Sequence, residues 1–478
     1  MIGSRMRRWA GRMALAATVS LTAVAAAADT LADALVGAYT HSGLLDQNRA
    51  LLRVADENVA ISQAALRPIL NYEARLTQSW RESGSFSRNL FGQSTFGVSQ
   101  TNATELQLSI SAQWLLYDFG ASNLRTEAEK EAVLSTRAQL LSLEQEVLIR
   151  AIRACFSVRQ TLETVALRQN NLRLLTEELR AARDRFEVGE VTRTDVALAE
   201  ARLAEARAGL ATAQGDLLRA QAEYISVTGR RPGQVAPPPA LPGVDRSVDG
   251  AIALAVRNHP DMEAAQRQVK QLDLLVDAAE RDLDPTISLE GRLSVTESLS
   301  DRTFSDSQSV GIVLGGPIYQ GGRLSALIRQ AMARRDAARG NLHNVRHVVQ
   351  QNVRNAYADL ASATANIEAS DRQIRAARVA FRGVREEATL GARTTLDVLD
   401  AEQDLLDAQS ALINAQASQY VAAYTVLQSI GRLTARDLRL NVKIYDPEAY
   451  YNLVKDGPAL KSKQGAQLDR VLRKLQID

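Results

Sequence analysis

Cys155 is the lone cysteine among 478 residues. That excludes an intramolecular disulfide framework and a cysteine-based zinc cluster. Aromatic residues are scarce, at 5%. The bias toward Ala, Leu, Arg and Gln instead favours long helices with small-residue seams. Charge of one sign is missing as well: 57 Lys and Arg against 55 Asp and Glu leave +2. Four of the cations, Arg5, Arg7, Arg8 and Arg12, lie in the first twelve residues, and without them the balance is −2. Such a chain has no electrostatic footprint for nucleic acid. Beyond the N-terminal segment there is no run of about 18 apolar residues, so a transmembrane helix is excluded. A β-barrel is not, because its alternation averages out of hydropathy. No Gly-x-Ser-x-Gly elbow, phosphate loop or dinucleotide fingerprint occurs, so neither an enzyme nor a cofactor is expected. His343 and His347 stand four apart on a helix but lack a third ligand at matching spacing, so no metal site is expected. Cys155, beside Phe156 in a helical seam, reads as a small packed residue.

What is present begins with a secretory signal over residues 1–28. Arg5 to Arg12 are its positive region, Met13 to Val24 its apolar region, and Ala26-Ala27-Ala28 before Asp29 its cleavage site. The cleavage region has no cysteine, so no lipid anchor is expected there.

The mature chain is one unit written twice. Leu66-Arg67-Pro68 corresponds to Leu283-Asp284-Pro285, and Leu116-Tyr117-Asp118-Phe119-Gly120 to Ile318-Tyr319-Gln320-Gly321-Gly322. Gly189 with Thr194-Asp195-Val196 corresponds to Gly391 with Leu396-Asp397-Val398, and Thr228-Gly229-Arg230 to Ile430-Gly431-Arg432. The first repeat takes residues 29–229, a Pro-rich linker 230–247, the second repeat 248–432, and a tail 433–478. Each repeat reads as a helical stretch ended by proline, two strands, and two long helices around a glycine. The strands are expected at about 69–81, 104–117, 286–298 and 308–319. The long helices are expected at about 121–187, 191–228, 322–389 and 394–430. The tail beyond about Pro447 is polar and basic and is expected to be poorly ordered.

Along the strands, Leu106, Leu108, Ile110, Ala112, Trp114 and Leu116 alternate with Gln107, Ser109, Ser111 and Gln113. This period suits a tilted membrane-spanning strand of about 9–11 residues. A soluble half-buried sheet would show the same alternation. The helices carry a heptad seam, Val196, Ala199, Leu203, Ala206, Leu210, Ala213, Leu217, Ala220, Tyr224 and Val227, with large and small residues in turn. Four strands cannot close a barrel, and open edges in lipid leave backbone groups unpaired. Spanning strands therefore require several chains in one barrel. The charged faces with Glu73, Arg75, Glu290 and Arg292 require a wet lumen.

These features, with Gly315-Gly316-Pro317-Ile318-Tyr319-Gln320-Gly321-Gly322 and Leu390-Gly391-Ala392-Arg393-Thr394-Thr395-Leu396-Asp397-Val398-Leu399-Asp400-Ala401, resemble the TolC family of outer-membrane efflux proteins. The Ile-Tyr-Gln-Gly-Gly form is closer to the branch serving type I secretion than to the lipid-anchored drug-efflux branch. The resemblance implies an α+β membrane protein: a homotrimer with a 12-stranded β-barrel, four strands per chain, continuous with a long α-helical coiled-coil barrel. It implies a passive outer-membrane exit duct that extends into the periplasm. Its partners would be a periplasmic adaptor (membrane fusion) protein, an inner-membrane ABC or proton-driven transporter, and outer-membrane lipid. The alternative is a periplasmic coiled-coil adaptor or scaffold, which the full-length duplication argues against.

The mechanism is expected at the two glycine turns. Gly189 and Gly391 can take positive φ and return the chain, and the resemblance makes them the adaptor-docking tips. Asp397 and Asp400, at i and i+3, share a helix face, and the resemblance makes them a pore constriction of stacked carboxylate rings. Asp397 also reads as the N3 member of a capping box with Thr394, and Asp195 as that of Thr192. Asp400 has no capping reason, which makes it the stronger functional candidate. The resemblance further implies a periplasmic gate latch between Arg393 and Asp195. Ala388 stands where the family pattern has a tyrosine, so one bond that the resemblance implies for that latch is missing, and a looser or differently wired gate is expected.

Overall fold

A computed structural model describes residues 29–88, 91–233, 236–244, 247–457 and 462–475. The expected signal over 1–28 lies outside the described residues. The chain runs α1 (Leu31–His41), α2 (Gly43–Ala64), β1 (Ile69–Arg88), β2 (Ser94–Tyr117), α3 (Ala121–Glu187), α4 (Arg193–Thr228), α5 (Val248–Asn258), α6 (Pro260–Arg281), β3 (Thr286–Ser298), β4 (Phe304–Gly315), α7 (Arg323–Thr389), α8 (Thr395–Ser429), α9 (Pro447–Val454) and α10 (Lys463–Leu475). The duplication is visible in the lengths. Helices α1 and α5 have 11 residues each, α2 and α6 22 each, and α3 and α7 67 each. No helix among the described residues is long and apolar enough to cross a membrane.

The chain divides into two compact units. One holds the described residues up to His41, Arg150–Pro242 and Ala363–Val421. Its α4 buries Ala199, Leu203, Ala206, Ala213, Ala220, Tyr224 and Val227. The seam alternates alanine with larger residues, so backbones approach closely and the larger side chains fill the gaps. Phe156 stacks on Tyr420 at 4.7 Å between ring centroids. Asp29 accepts from the Tyr224 hydroxyl at 2.6 Å and from the Arg230 guanidinium at 2.5 Å, so the first described residue is tied to the far end of α4. Cys155 is buried, and burial pushes its thiol up to about 11.

The second unit holds Ser42–Ile149, Gly243–Ser362 and Ala422–Asp478. It contains one antiparallel sheet of order β1-β2-β3-β4. Strand register puts like with like. Tyr72 pairs with Ile110 and Ile110 with Leu293, while Trp114 pairs with Leu289 and Leu289 with Ile312. One residue along, Glu73 pairs with Ser109 and Ser109 with Ser294. A continuous apolar face therefore backs a continuous polar one. The apolar face is uncovered: Tyr72 is 88% exposed, Leu70 72%, and Ile312 70%. A half-buried soluble sheet would cover such a face, because each large side chain left in water forgoes about 1.5–3 kcal/mol.

Three expectations need correction. Strand β4 is Phe304–Gly315, not about 308–319, because Pro317 has no N–H to give to a ladder. The first hairpin is longer than the alternation indicates, with β1 running to Arg88 and β2 starting at Ser94. Its outer part is rich in Ser, Gly, Asn and Thr and is held by backbone pairing of β1 with β2, which needs no apolar period. The last correction concerns the tail. Pro447–Val454 is helix, capped by the Asp446 carboxylate, which accepts from the Glu448 N–H at 2.9 Å. Tyr450 and Val454, at i and i+4, are buried, and the Tyr450 hydroxyl donates to Glu57 at 2.6 Å. A proline at N1, a cap and two apolar residues on one face suffice for a docked helix of this length.

Under this helix lies an unusual carboxylate. Asp56 of α2 is fully buried, and neither of its oxygens has a hydrogen-bond partner among the described residues. Burial drives its carboxyl up to about 7, against the pull of Arg137 and with the help of Glu57.

The returning helices α4 and α8 each end at a left-handed glycine, in different surroundings. Gly229 ends α4 with φ 74°, and a Cβ there would meet the His41 ring at 2.7 Å. Gly431 follows α8 with φ 80°, and a Cβ there would meet the His259 Cα at 3.0 Å and the Asn258 carbonyl at 3.1 Å. The first obstacle is a side chain; the second is backbone.

Candidate functional site at the glycine turns

Helices α3 and α7 end alike. The Glu190 N–H donates to the Arg185 carbonyl at 2.9 Å, and the Gly189 N–H to the Phe186 carbonyl at 3.0 Å. In the second half the Ala392 N–H donates to the Glu387 carbonyl at 2.9 Å, and the Gly391 N–H to the Ala388 carbonyl at 3.2 Å. These are the paired bonds of a Schellman cap, which needs a left-handed residue. Gly189 and Gly391 supply it, with φ 78° and 74°. No atom lies within 4 Å of a Cβ built on either, so these glycines are needed for φ and not for space.

Each next helix starts with a reciprocal capping box. The Thr192 N–H donates to Asp195 at 2.9 Å, and the Asp195 N–H donates back to the Thr192 hydroxyl at 3.3 Å. Thr394 and Asp397 repeat this at 2.9 and 3.2 Å. The Thr394 N–H and hydroxyl hold the Asp397 carboxyl below the usual range.

Within the single chain the structure does not bring Arg393 and Asp195 together. The Arg393 Nε donates to Glu387 at 2.9 Å, across its own turn. Asp195 turns back on Thr192. The cap competes for the carboxylate, and Glu387 is the nearer acid in the chain.

Behind Asp397 the site is richer than its motif. Leu399 of α8 packs with Leu175, Leu179 and Ala182 of α3 and with Ala199, Leu203 and Ala206 of α4. One turn on, Glu402 is 3% exposed and accepts from the Asn171 amide at 2.9 Å, while its second oxygen has no partner among the described residues. Burial pushes this carboxyl up to about 7. Asp400 lies on another side of α8 and accepts from the Arg202 guanidinium at 2.8 Å. Arg385 and Glu178 join α7 to α3 at 3.0 Å, and Arg183 and Glu200 join α3 to α4 at 2.6 Å. Arg202, Glu402 and Asn171 were not legible as site residues. Their pairings span 198 and 231 residues and depend on the register of one helix against another. The available signal was a buried-face glutamate, Glu402, three residues after Leu399 in an otherwise apolar stripe. Among the described residues no group of His, Cys, Asp or Glu is arranged to hold a metal.

Comparison with known proteins agrees with this architecture. Residues 38–230 and 251–432, one stretch in each half, match the family described as outer membrane efflux protein. The outer membrane efflux protein BepC of Brucella suis is 37% identical over 94% of this chain and 95% of its own length. The alkaline protease secretion protein AprF of Pseudomonas aeruginosa is 28% identical over 72% of each chain. Among solved structures, the outer-membrane channel OprN superposes with a TM-score of 0.70 at 23% identity, covering 84% of this chain and 89% of its own. The outer membrane protein VceC of Vibrio cholerae gives 0.70 at 20%, covering 84% and 96%. These two likenesses establish the fold. Family match, near full-length relative and fold together place this chain in the outer membrane efflux protein family, the TolC family.

Proposed function

We propose that the protein is the outer-membrane exit duct of a tripartite efflux or type I secretion system, passive in itself and opened at its periplasmic end by partners. The observation that carries this reading is the sheet. It has an uncovered apolar face, a polar face behind it and two open edges at β1 and β4. Backbone groups at an open edge cannot stay unpaired in lipid. Three chains, each giving four strands, close a twelve-stranded barrel whose polar faces with Glu73, Arg75, Glu290 and Arg292 line water. The long helices continue that wall through the periplasm. Family membership supports the same assembly, as do relatives that carry efflux and protease-secretion names.

In this assembly Gly189 and Gly391 form the tips that meet a periplasmic adaptor, which joins the duct to an inner-membrane ABC or proton-driven transporter. Asp397 and Asp400 form the constriction. Rings of carboxylates attract cations and repel anions at a narrow pore. Arg393 fastens the second tip, and a partner that binds it differently in the open state can release it.

The test is conductance and reversal potential of the detergent-extracted protein in planar bilayers under a salt gradient, with Arg393→Ala alongside. Discrete cation-selective steps are expected, larger in the variant. Silence from both proteins, despite a stable oligomer, or solubility without detergent, would favour a periplasmic scaffold. Equal steps in both would remove Arg393 from the gate.

A further inference from the structure

Beyond the constriction itself, the geometry points to Arg202 as the residue that sets the charge of the constriction at Asp400. The inference rests on the duct reading above. Arg202 extends from α4 to α8, and its Nη2 lies 2.8 Å from the Asp400 carboxylate. Its other terminal nitrogen lies 3.2 Å from Glu205 on its own helix. The guanidinium therefore has a local acid that keeps it in place when Asp400 is removed. The aspartates at the constriction are unequal. Asp397 has its carboxylate turned to the N-terminus of α8 through Thr394. Asp400 faces a full positive charge from a different helix.

A carboxylate ring whose every member carries a counter-ion presents little net field to a passing ion. Arg202 so reduces Asp400 to a near-neutral level and leaves Asp397 as the main fixed charge. It also ties the first turns of α8 to α4, on a different side of α8 from the buried Glu402–Asn171 bond to α3. Arg202 is thus a positioning residue with an electrostatic output, and the signs of its effects are fixed in advance.

Five proteins decide the matter, all measured as the full chain in planar bilayers under a salt gradient: wild type, Arg202→Gln, Arg202→Lys, Asp400→Asn and the double variant Arg202→Gln with Asp400→Asn. Arg202→Gln unmasks the carboxylates and is expected to raise the cation-to-anion permeability ratio about threefold. Asp400→Asn removes one negative charge per chain while Arg202 stays in place on Glu205, and is expected to lower the ratio below wild type. The double variant is expected to return near wild type, and Arg202→Lys, which keeps the charge, to stay there. A merely structural Arg202 would alter step size or open time without this pattern of signs. A conducting wild type whose reversal potential is unmoved by Arg202→Gln overturns the role of Arg202 alone. A wild type that forms no channel overturns the duct reading and this inference with it.

Discussion

Raising the pH from about 4 to 7 is expected to cost the wild-type protein stability that the Asp56→Asn variant retains. Asp56 titrates near 7 in the folded chain, well above the ordinary aspartate value of 3.8, because burial penalises its charged form. Between these values the unfolded chain has released the proton and the folded chain still holds it. Stability therefore falls as pH rises through that window and levels off above about 7. The full penalty is on the order of 4 kcal/mol, from about three pH units at 1.36 kcal/mol each. Asparagine carries no charge to bury, so the variant should match wild type near pH 4 and exceed it near pH 8. Denaturation midpoints of both proteins at the two pH values make the comparison, and the difference between them isolates Asp56 from Glu402 and Glu144, which burial also shifts upward. Equal pH slopes would show that Asp56 reaches water or finds a partner. Tyr445 and Tyr450 lie close enough to feel the Asp56 charge. The acid at this spot therefore makes the seating of α9 sensitive to alkalinity, and protease sensitivity of the chain beyond Leu440 should rise along the same curve.

The second large effect belongs to Gly431→Ala, expected to destabilise by about 3 kcal/mol. Left-handed backbone costs an alanine about 1–2 kcal/mol, and forcing a methyl against fixed atoms adds about 1–3 kcal/mol. Here the methyl would face the His259 Cα, the Asn258 carbonyl and Pro260, all within 3.1 Å, and the α5–α6 junction cannot yield without moving both helices. Gly229→Ala should cost less, because the His41 ring can turn away. Gly391→Ala meets open space and should cost only the backbone strain, about 1 kcal/mol. Thermal midpoints in the order Gly431→Ala, then Gly229→Ala, then Gly391→Ala nearest wild type would bear this out. A Gly391 variant as unstable as the Gly431 variant would mean that the tips are packed in the assembled protein, and that the single-chain geometry understates them.

The helices were legible because several local signals agree. A heptad of alanine and larger residues, a glycine at each turn, and Thr192 and Thr394 three residues before an aspartate point to the same boundaries. The two capping boxes lie within four residues and require no tertiary knowledge. The first hairpin was legible only where apolar residues alternate. Beyond Trp80 its pairing is written in the backbone, and a one-sequence reading loses it there. Helix α9 has eight residues, too few for a period to declare itself, and its place depends on α2, some 390 residues earlier in the chain. At the site, the turns and caps were visible as motifs. The partners of Asp400 and Glu402 were hidden, because they depend on how α8 meets α3 and α4, and side-chain spacing along one helix carries no such information.

The two open edges of the sheet have a consequence in genetics. In the proposed trimer each chain's β1 must pair with the β4 of a neighbour, so every ring contains three such joints and none is spare. A substitution that spoils one edge, such as a proline within β4, leaves the other edge competent to join a ring that can then never close. With mutant and normal copies made in equal amounts, only about one ring in eight is built wholly from normal chains. Edge alleles of this protein should therefore be dominant, while alleles that prevent the chain from folding should be recessive.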